Sequence, residues 1–284
     1  MRDEGLRFTD RDIDLLKYLA HGPAFSQDLH LRFFVKEGRP IARRVFARRM
    51  SKLVEAGCLQ VLHHRRVYGR EKDRHGPVYS IARGGVDALT QEGGINIDRI
   101  RLVDLGKRSL VHEIIQTRLV RKIYEHDGVH YRVIRLYDDV MLAKQAQRIK
   151  LSRIPDLRFT VQLRNGSYFS FLVEVDAGST HAPEFIQKLV TFTHLNRLLA
   201  PLDSREPFAI LIVCDTQDRM AYLQRAVMQS PLTSKIFSSF AFNTIYNLDN
   251  SLGLFNPWYK ADGTKIERIF KESVRNPNIM KPTS

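Results

Sequence analysis

Residues 154–176 read IPDLRFTVQLRNGSYFSFLVEVD, and the alternation in this stretch decides the second half of the fold. Between 156 and 164 the odd positions are apolar: Leu157, Phe159, Val161 and Leu163. Between 167 and 176 they are apolar again: Phe169, Phe171, Val173 and Val175. A period of two marks β-strands, and Asn165-Gly166 between the runs marks a hairpin. Residues directly opposite in an antiparallel pair point to the same face. Burying both odd sets together therefore requires paired numbers with an even sum, for example Leu157 with Val175. A strict two-residue Asn-Gly turn would pair Arg164 with Ser167, an odd sum, and expose one apolar set. The expectation is a three-residue loop or a bulge near Gly166. It follows that Asp156, Glu174 and Asp176 fall on the opposite, polar face near one end of the hairpin. Three carboxylates there are placed to hold a hard cation such as Mg²⁺ through oxygen.

Working outward, a helix is expected from about Ser109 to His126 and a strand from Val129 to Tyr137. After the Gly178-Ser179-Thr180 break comes a helix from about Pro183 to Leu199. Phe185, Leu189, Phe192 and Leu199 form its core stripe, and Lys188 at the stripe's edge is able to reach the sheet. Phe208–Cys214 suits a buried central strand, and Gln217–Met228 a following helix. Beyond Trp258, read as a packing residue, the tail looks irregular. His112 reads as a core histidine and Glu113, at the margin of the same face, as a possible fourth metal ligand. Asp138-Asp139 reads as a turn, and His63-His64 as too isolated for metal.

The N-terminal hundred residues have another character. Thr9 with Asp12 makes a capping box ahead of an apolar stripe at Ile13, Leu15, Leu16, Leu19 and Ala20, and His21-Gly22-Pro23 ends that helix. Ser26 suits the cap of a second helix to about Val35, which Gly38 breaks. Pro40 suits the first turn of a third helix, and Gly57 its end. The third helix carries Arg43, Arg44, Arg48, Arg49 and Lys52 with no acid before Glu55. Strands from Cys58 to Tyr68 and Pro77 to Ala82 flank a polar tip holding Arg70, Lys72 and Arg74, and a short helix starts at Gly84-Gly85. Three helices followed by a hairpin are the layout of a winged helix-turn-helix, with the third helix in the major groove and the hairpin along the backbone. Arg65, Arg66, Arg70, Lys72 and Arg74 are the candidate wing contacts. Most of these cations should touch phosphate, and a few, from Arg43, Arg44 and Arg48, should read base edges.

The bulk numbers agree. The 284 residues allow two ordinary domains. The formal net charge is +14, from 45 Lys+Arg against 31 Asp+Glu, and favours polyanions such as double-stranded DNA. Cys58 and Cys214 lie far apart and outside any Cys-x-x-Cys pair, which argues against structural zinc and for a reducing cytoplasm. The charged N-terminus lacks the apolar core of a secretory signal, and no apolar run is long enough to span a membrane. The expected division is a DNA-binding domain over 1–94, a linker over 95–107, an α/β domain over 108–260 and an irregular tail over 261–284.

Pro155-Asp156, then Glu174-Val175-Asp176, then a helix bearing Lys188, resembles the core of the PD-(D/E)xK nucleases. From Thr9-Asp10-Arg11-Asp12 through the basic third helix, His112-Glu113, Pro155-Asp156 and Phe171–Asp176, the chain also resembles the replication-relaxation family of plasmid and other mobile-element proteins. It is similar to plasmid mobilisation accessory proteins in the same way. The resemblance covers roughly residues 8–258. It implies a mixed α/β chain: a winged helix-turn-helix, then a PD-(D/E)xK restriction-endonuclease-like domain. Asp156, Glu174 and Lys188 would be the catalytic set, and Asp156, Glu174, Asp176 and Glu113 the ligands of Mg²⁺. Lysine is expected where Asp176 stands. Either Lys188 supplies it from the helix, making a Mg²⁺-dependent endonuclease or nickase, or the fold is kept without catalysis. The expected partners are double-stranded DNA, a second copy of the chain and a relaxase or replication protein.

Overall fold

A computed structural model describes residues 6–62, 76–92, 100, 102, 109–139, 141–144, 153–178, 180–199 (backbone alone for 194–199), 209–234, 236–249, 253–267 and 269–270. The chain is mixed α/β and divides into two units, Met1–Thr117 and Arg118–Ser284. Among the described residues no helix is long and apolar enough to cross a membrane.

The first unit opens with α1 (Asp10–Ala20). Both halves of the expected capping box are present: Thr9 accepts from the Asp12 amide, and the Asp12 carboxylate accepts from the Thr9 amide at 2.8 Å. Next come β1 (Ala24–Phe25), α2 (Ser26–Phe33), β2 (Val35–Lys36) and β3 (Arg39–Pro40). Then follow α3 (Arg43–Glu55), β4 (Leu59–Leu62), β5 (Val78–Ile81), α4 (Arg83–Glu92) and α5 (Leu110–Glu125), which crosses the division between the units. Leu15, Leu16 and Leu19 of α1, Leu29 of α2, and Phe46, Met50 and Leu53 of α3 form one core with Ile81 and Leu89. Each such side chain contributes about 1.5–3 kcal/mol.

Three local expectations need correcting. Pro40 does not start α3; it pairs with Val35 across a tight β2–β3 turn, and the helix begins three residues later. Ser26 is the first residue of α2 rather than its cap, and Phe25 precedes it without a side-chain cap bond. Ala24-Phe25 adds a strand, so the sheet is β1-β5-β4 rather than a bare hairpin. A two-residue strand carries too little alternation to show in sequence.

The second unit is built on seven strands: β6 (Tyr131–Asp138), β7 (Leu157–Leu163), β8 (Tyr168–Asp176), β9 (Ala209–Cys214), β10 (Phe240–Thr244), β11 (Trp258–Tyr259) and β12 (Lys265–Ile266). Their order is β12-β11-β10-β9-β8-β7-β6, with β8, β9 and β10 parallel and the other pairings antiparallel. Two helices make the parallel crossovers, α6 (Ala182–Leu199) and α7 (Gln217–Gln229); a short α8 (Ile245–Leu248) follows β10.

The β7–β8 register has the even sum that burial demands: Leu157 opposes Val173 and Gln162 opposes Tyr168. This is two residues from the example of Leu157 with Val175. The loop has three residues. The Leu163 amide donates to Ser167 and the Gly166 amide to Leu163, while Gly166 sits at φ 84°, where a Cβ would be strained. The odd face stacks Phe159 on Phe171 at 4.8 Å, with Phe270 edge-on to Phe171.

The opposite face is not the polar, solvated surface that alternation suggests. Leu172 packs there with Ile210, Ile212, Phe240 and Phe242 beneath Phe185, Leu189 and Phe192 of α6 and Met220, Leu223 and Val227 of α7. A sheet flanked by crossover helices is covered on that side as well, so the acids on it are buried. The tail also departs from the reading. Lys265–Ile266 forms a sheet edge, Trp258 is fully buried with its indole N–H on the Leu254 carbonyl, and Ile269 and Phe270 join the core.

Candidate functional site

On α3, Phe46, Met50 and Leu53 face the core, and Arg43, Arg44, Arg48 and Lys52 are exposed. Arg44, Arg48 and Lys52 follow one another at i, i+4 and i+8, so like charges stack along one stripe, which costs helix stability. Arg43 and Arg44 also lie in a first turn that holds no acid, against the helix dipole. Among the described residues none of these four makes an ion pair.

Arg49 differs. Its Nε donates to Asp12 at 2.9 Å and its Nη2 to the same carboxylate and to the Arg7 carbonyl at 2.9 Å. Burial alone would raise the Asp12 carboxyl, but the hydrogen bonds from Arg49 and Thr9 outweigh it and hold the group below its ordinary range. Arg49 is thus a strut between α1 and α3 and leaves the set of cations open to solvent. Arg65, Arg66, Arg70, Lys72 and Arg74 lie outside the described residues.

In the second unit the hairpin brings the sequence-nominated acids to the carboxyl end of β8. The Asp156 amide donates to Val173, and the Asp156 carboxylate accepts from the Val175 amide at 2.7 Å. Continuing the ladder sets Asp156 beside Glu174, on one face. Glu174, 2% exposed, pairs through Oε1 with Lys188, which reaches over from α6. Its Oε2 is buried and accepts no hydrogen bond. Burial first, and the Asp156 charge second, push the Glu174 carboxyl well above its ordinary value despite Lys188. The Lys188 ammonium is raised, because the pull of Glu174 and then of Asp156 exceeds the cost of burial. One cation is shared between two carboxylates.

Asp176 lies two residues further along the same face, but Arg219 of α7 holds it from both sides: Nε donates to Oδ1 at 2.6 Å and Nη2 to Oδ2 at 3.0 Å. The Gly178 amide also donates to Oδ1 at 2.9 Å. Asp176 is therefore an anchor rather than an open ligand. Glu113 is buried within the first unit and is not among the side chains that shape this site. Among the described residues no three His, Cys, Asp or Glu side chains form a ready metal cage.

Two residues here were not nominated. Arg219 donates its guanidinium to Asp176 and to the Thr180 carbonyl. Asp215, just past β9, is raised above its ordinary value by burial and by Asp176, against its bonds to Thr216, and its Oδ1 has no partner. Arg219 stands 43 residues from Asp176 in the chain, and no spacing rule links them. For Asp215 the available signal was its place immediately after an apolar central strand, where ligands of parallel sheets collect.

Neither the curated proteins nor the solved structures gave a match to this chain. A family model, replication-relaxation, matches residues 19–199. The match runs from the end of α1 through the basic helix and the Asp156–Asp176 hairpin to the last residue of α6. It covers well over half of the chain, which therefore belongs to the replication-relaxation family.

Proposed function

We propose that this protein binds double-stranded DNA in the replication, relaxation or mobilisation of a plasmid or other mobile element, using the first unit as a winged helix-turn-helix. One observation carries the reading: α3 buries its apolar stripe and leaves Arg43, Arg44, Arg48 and Lys52 in solvent without an ion pair. A helix with like charges stacked along its outer face gains most from an anionic surface, and duplex DNA supplies phosphates at the spacing of a groove. Arg44 and Arg48, one turn apart, are placed to contact base edges, and Lys52 a phosphate. The test is anisotropy titration of a labelled duplex across a salt series. Arg44→Ala/Arg48→Ala should weaken binding and flatten the salt dependence; unchanged affinity and slope would remove α3 from the interface.

A second reading, that the second unit cleaves DNA, is favoured by the orphaned Oε2 of Glu174. A buried carboxylate oxygen without a donor, beside the Asp156 carboxylate, is chemically suited to a hard cation such as Mg²⁺. Asp156 and Glu174 would hold it, with Lys188 orienting water. The ion would supply charge stabilisation for phosphodiester displacement. Asp176, tied to Arg219, would instead brace the end of β8. Supercoiled plasmid incubated with Mg²⁺ or Mn²⁺ should be nicked or linearised, and Glu174→Gln should abolish this. Cleavage that survives the substitution would place the chemistry elsewhere.

A further inference from the structure

The β6–β7–β8 register arranges the acid-bearing face in cross-strand rows. From the hairpin end, the first is Arg132–Gln162–Tyr168, the second Arg135–Thr160–Ser170 and the third Tyr137–Arg158–Leu172. The next step along β7 and β8 is Asp156 with Glu174. Each of the first three rows contains one guanidinium and none contains an acid. Rows lie two residues apart, so roughly 20 Å separates the first row from the carboxylates.

A bulge in β6 creates this composition. From Tyr131 to Val133 the β6–β7 pairs run in step, and the register then shifts by one between Val133 and Arg135. Without the shift Ile134 and Leu136 would oppose Thr160 and Arg158 and share their face. With it, Arg135 and Tyr137 take those places, Leu136 turns to the Phe159 side, and Ile134 is pushed out to 38% exposure. Bulges of this kind re-aim side chains beside functional sites.

The first row is open: Arg132 is exposed and Tyr168 is 40% exposed. Arg132, Gln162 and Arg164 line a cavity of about 760 Å³ that also holds Asp127. Asp127 accepts from the Val133 amide at 2.8 Å, and Arg164 donates to the Val129 carbonyl at 2.6 Å. Deeper in, Arg158 lies 5.9 Å from the Tyr137 ring. Burial chiefly, and the like charge of Arg135, hold the Arg158 guanidinium below its ordinary value against the pull of Tyr137.

We infer that this face is a second nucleic-acid site, a track that carries a single strand of DNA from the Arg132–Gln162–Tyr168 row towards Asp156 and Glu174. Arginines spaced along a surface follow a phosphate backbone, and an exposed tyrosine offers a base a stacking face without selecting its identity. The inference rests on the reading that the second unit acts on DNA, and it is independent of α3.

The experiment uses the full chain carrying Arg44→Ala/Arg48→Ala, so that the α3 contribution is removed. The probes are a fluorescein-labelled, mixed-sequence 20-mer single strand and the duplex of the same sequence. The α3 variant should still bind the single strand. Adding Arg132→Ala/Tyr168→Ala, both at exposed positions, should raise the single-strand Kd about tenfold and reduce its salt slope by about one, with the melting temperature unchanged. Single-strand affinity that does not move on this addition overturns the track, as does loss of all single-strand binding in the α3 variant. Duplex affinity that is insensitive to Arg44→Ala/Arg48→Ala overturns the α3 reading alone, because the track is scored on the single strand.

Discussion

Helix α3 and the carboxyl end of β8 handle charge in opposite ways. On α3 four cations stand in water with no acid beside them. At the end of β8, Asp156, Glu174 and Asp176 are taken inside, with Lys188 and Arg219 brought in to meet them. Solvated cations cost little to keep and remain available to a polyanion. Buried carboxylates are tolerated only with partners, and the place where partnering is incomplete, Oε2 of Glu174, is where an external cation would be felt. The same contrast recurs within the first unit, where Arg49 is paired with Asp12 and its neighbour Arg48 is not. A run of arginines in sequence is therefore two populations, one structural and one free for recognition.

The largest effect that would sharpen this contrast is at Arg219. Arg219→Ala leaves Asp176, 1% exposed, without its cation, and should destabilise the second unit by about 3–5 kcal/mol in urea unfolding. A near-silent result would mean that Asp176 is solvated after all. Arg49→Ala should cost nearer about 3 kcal/mol, since Arg49 keeps 22% of its side chain in water. Arg44→Ala/Arg48→Ala should instead change stability by less than about 0.5 kcal/mol while weakening duplex binding by about 1–3 kcal/mol for each arginine that reads a base edge. If that double variant unfolds more easily and binds as before, the two populations have been assigned the wrong way round.

Acid should also separate the regions. The folded Asp12 carboxyl lies below its unfolded value, so its contribution is fully present above the ordinary carboxylate range. It fades as pH falls through the depressed folded value. Urea midpoints of the first unit should drop on acidification, and Arg49→Met should flatten that drop. The smallest effect is at the hairpin. Gly166→Ala places a Cβ at φ 84° and should cost about 1 kcal/mol, leaving the register intact because apolar burial sets it.

Much of this could be read before any coordinates. The capping box at Thr9 and Asp12, the basic helix, the even β7–β8 register and its three-residue loop all came from local chemistry or strict alternation. Lys188 was placed near the sheet by its position on a helical stripe. What failed to show were features whose partners are distant. They include the Arg219–Asp176 pair, the β1 strand of two residues, the sheet edge at Lys265–Ile266, and the β6 bulge that puts Arg135 and Tyr137 on the acid-bearing face.

The sequence alone determined which residues alternate, where helices start, and that an excess of positive charge sits on an amphipathic helix. These depend on neighbours within a turn or a strand. The tertiary structure decided which charges are spent on one another, and it turned a face that looked solvated into a helix-covered one. Burial and ion pairing arise where segments far apart in the chain meet, and the cost of an unpaired buried charge is set by that meeting rather than by the residue's own place in the sequence.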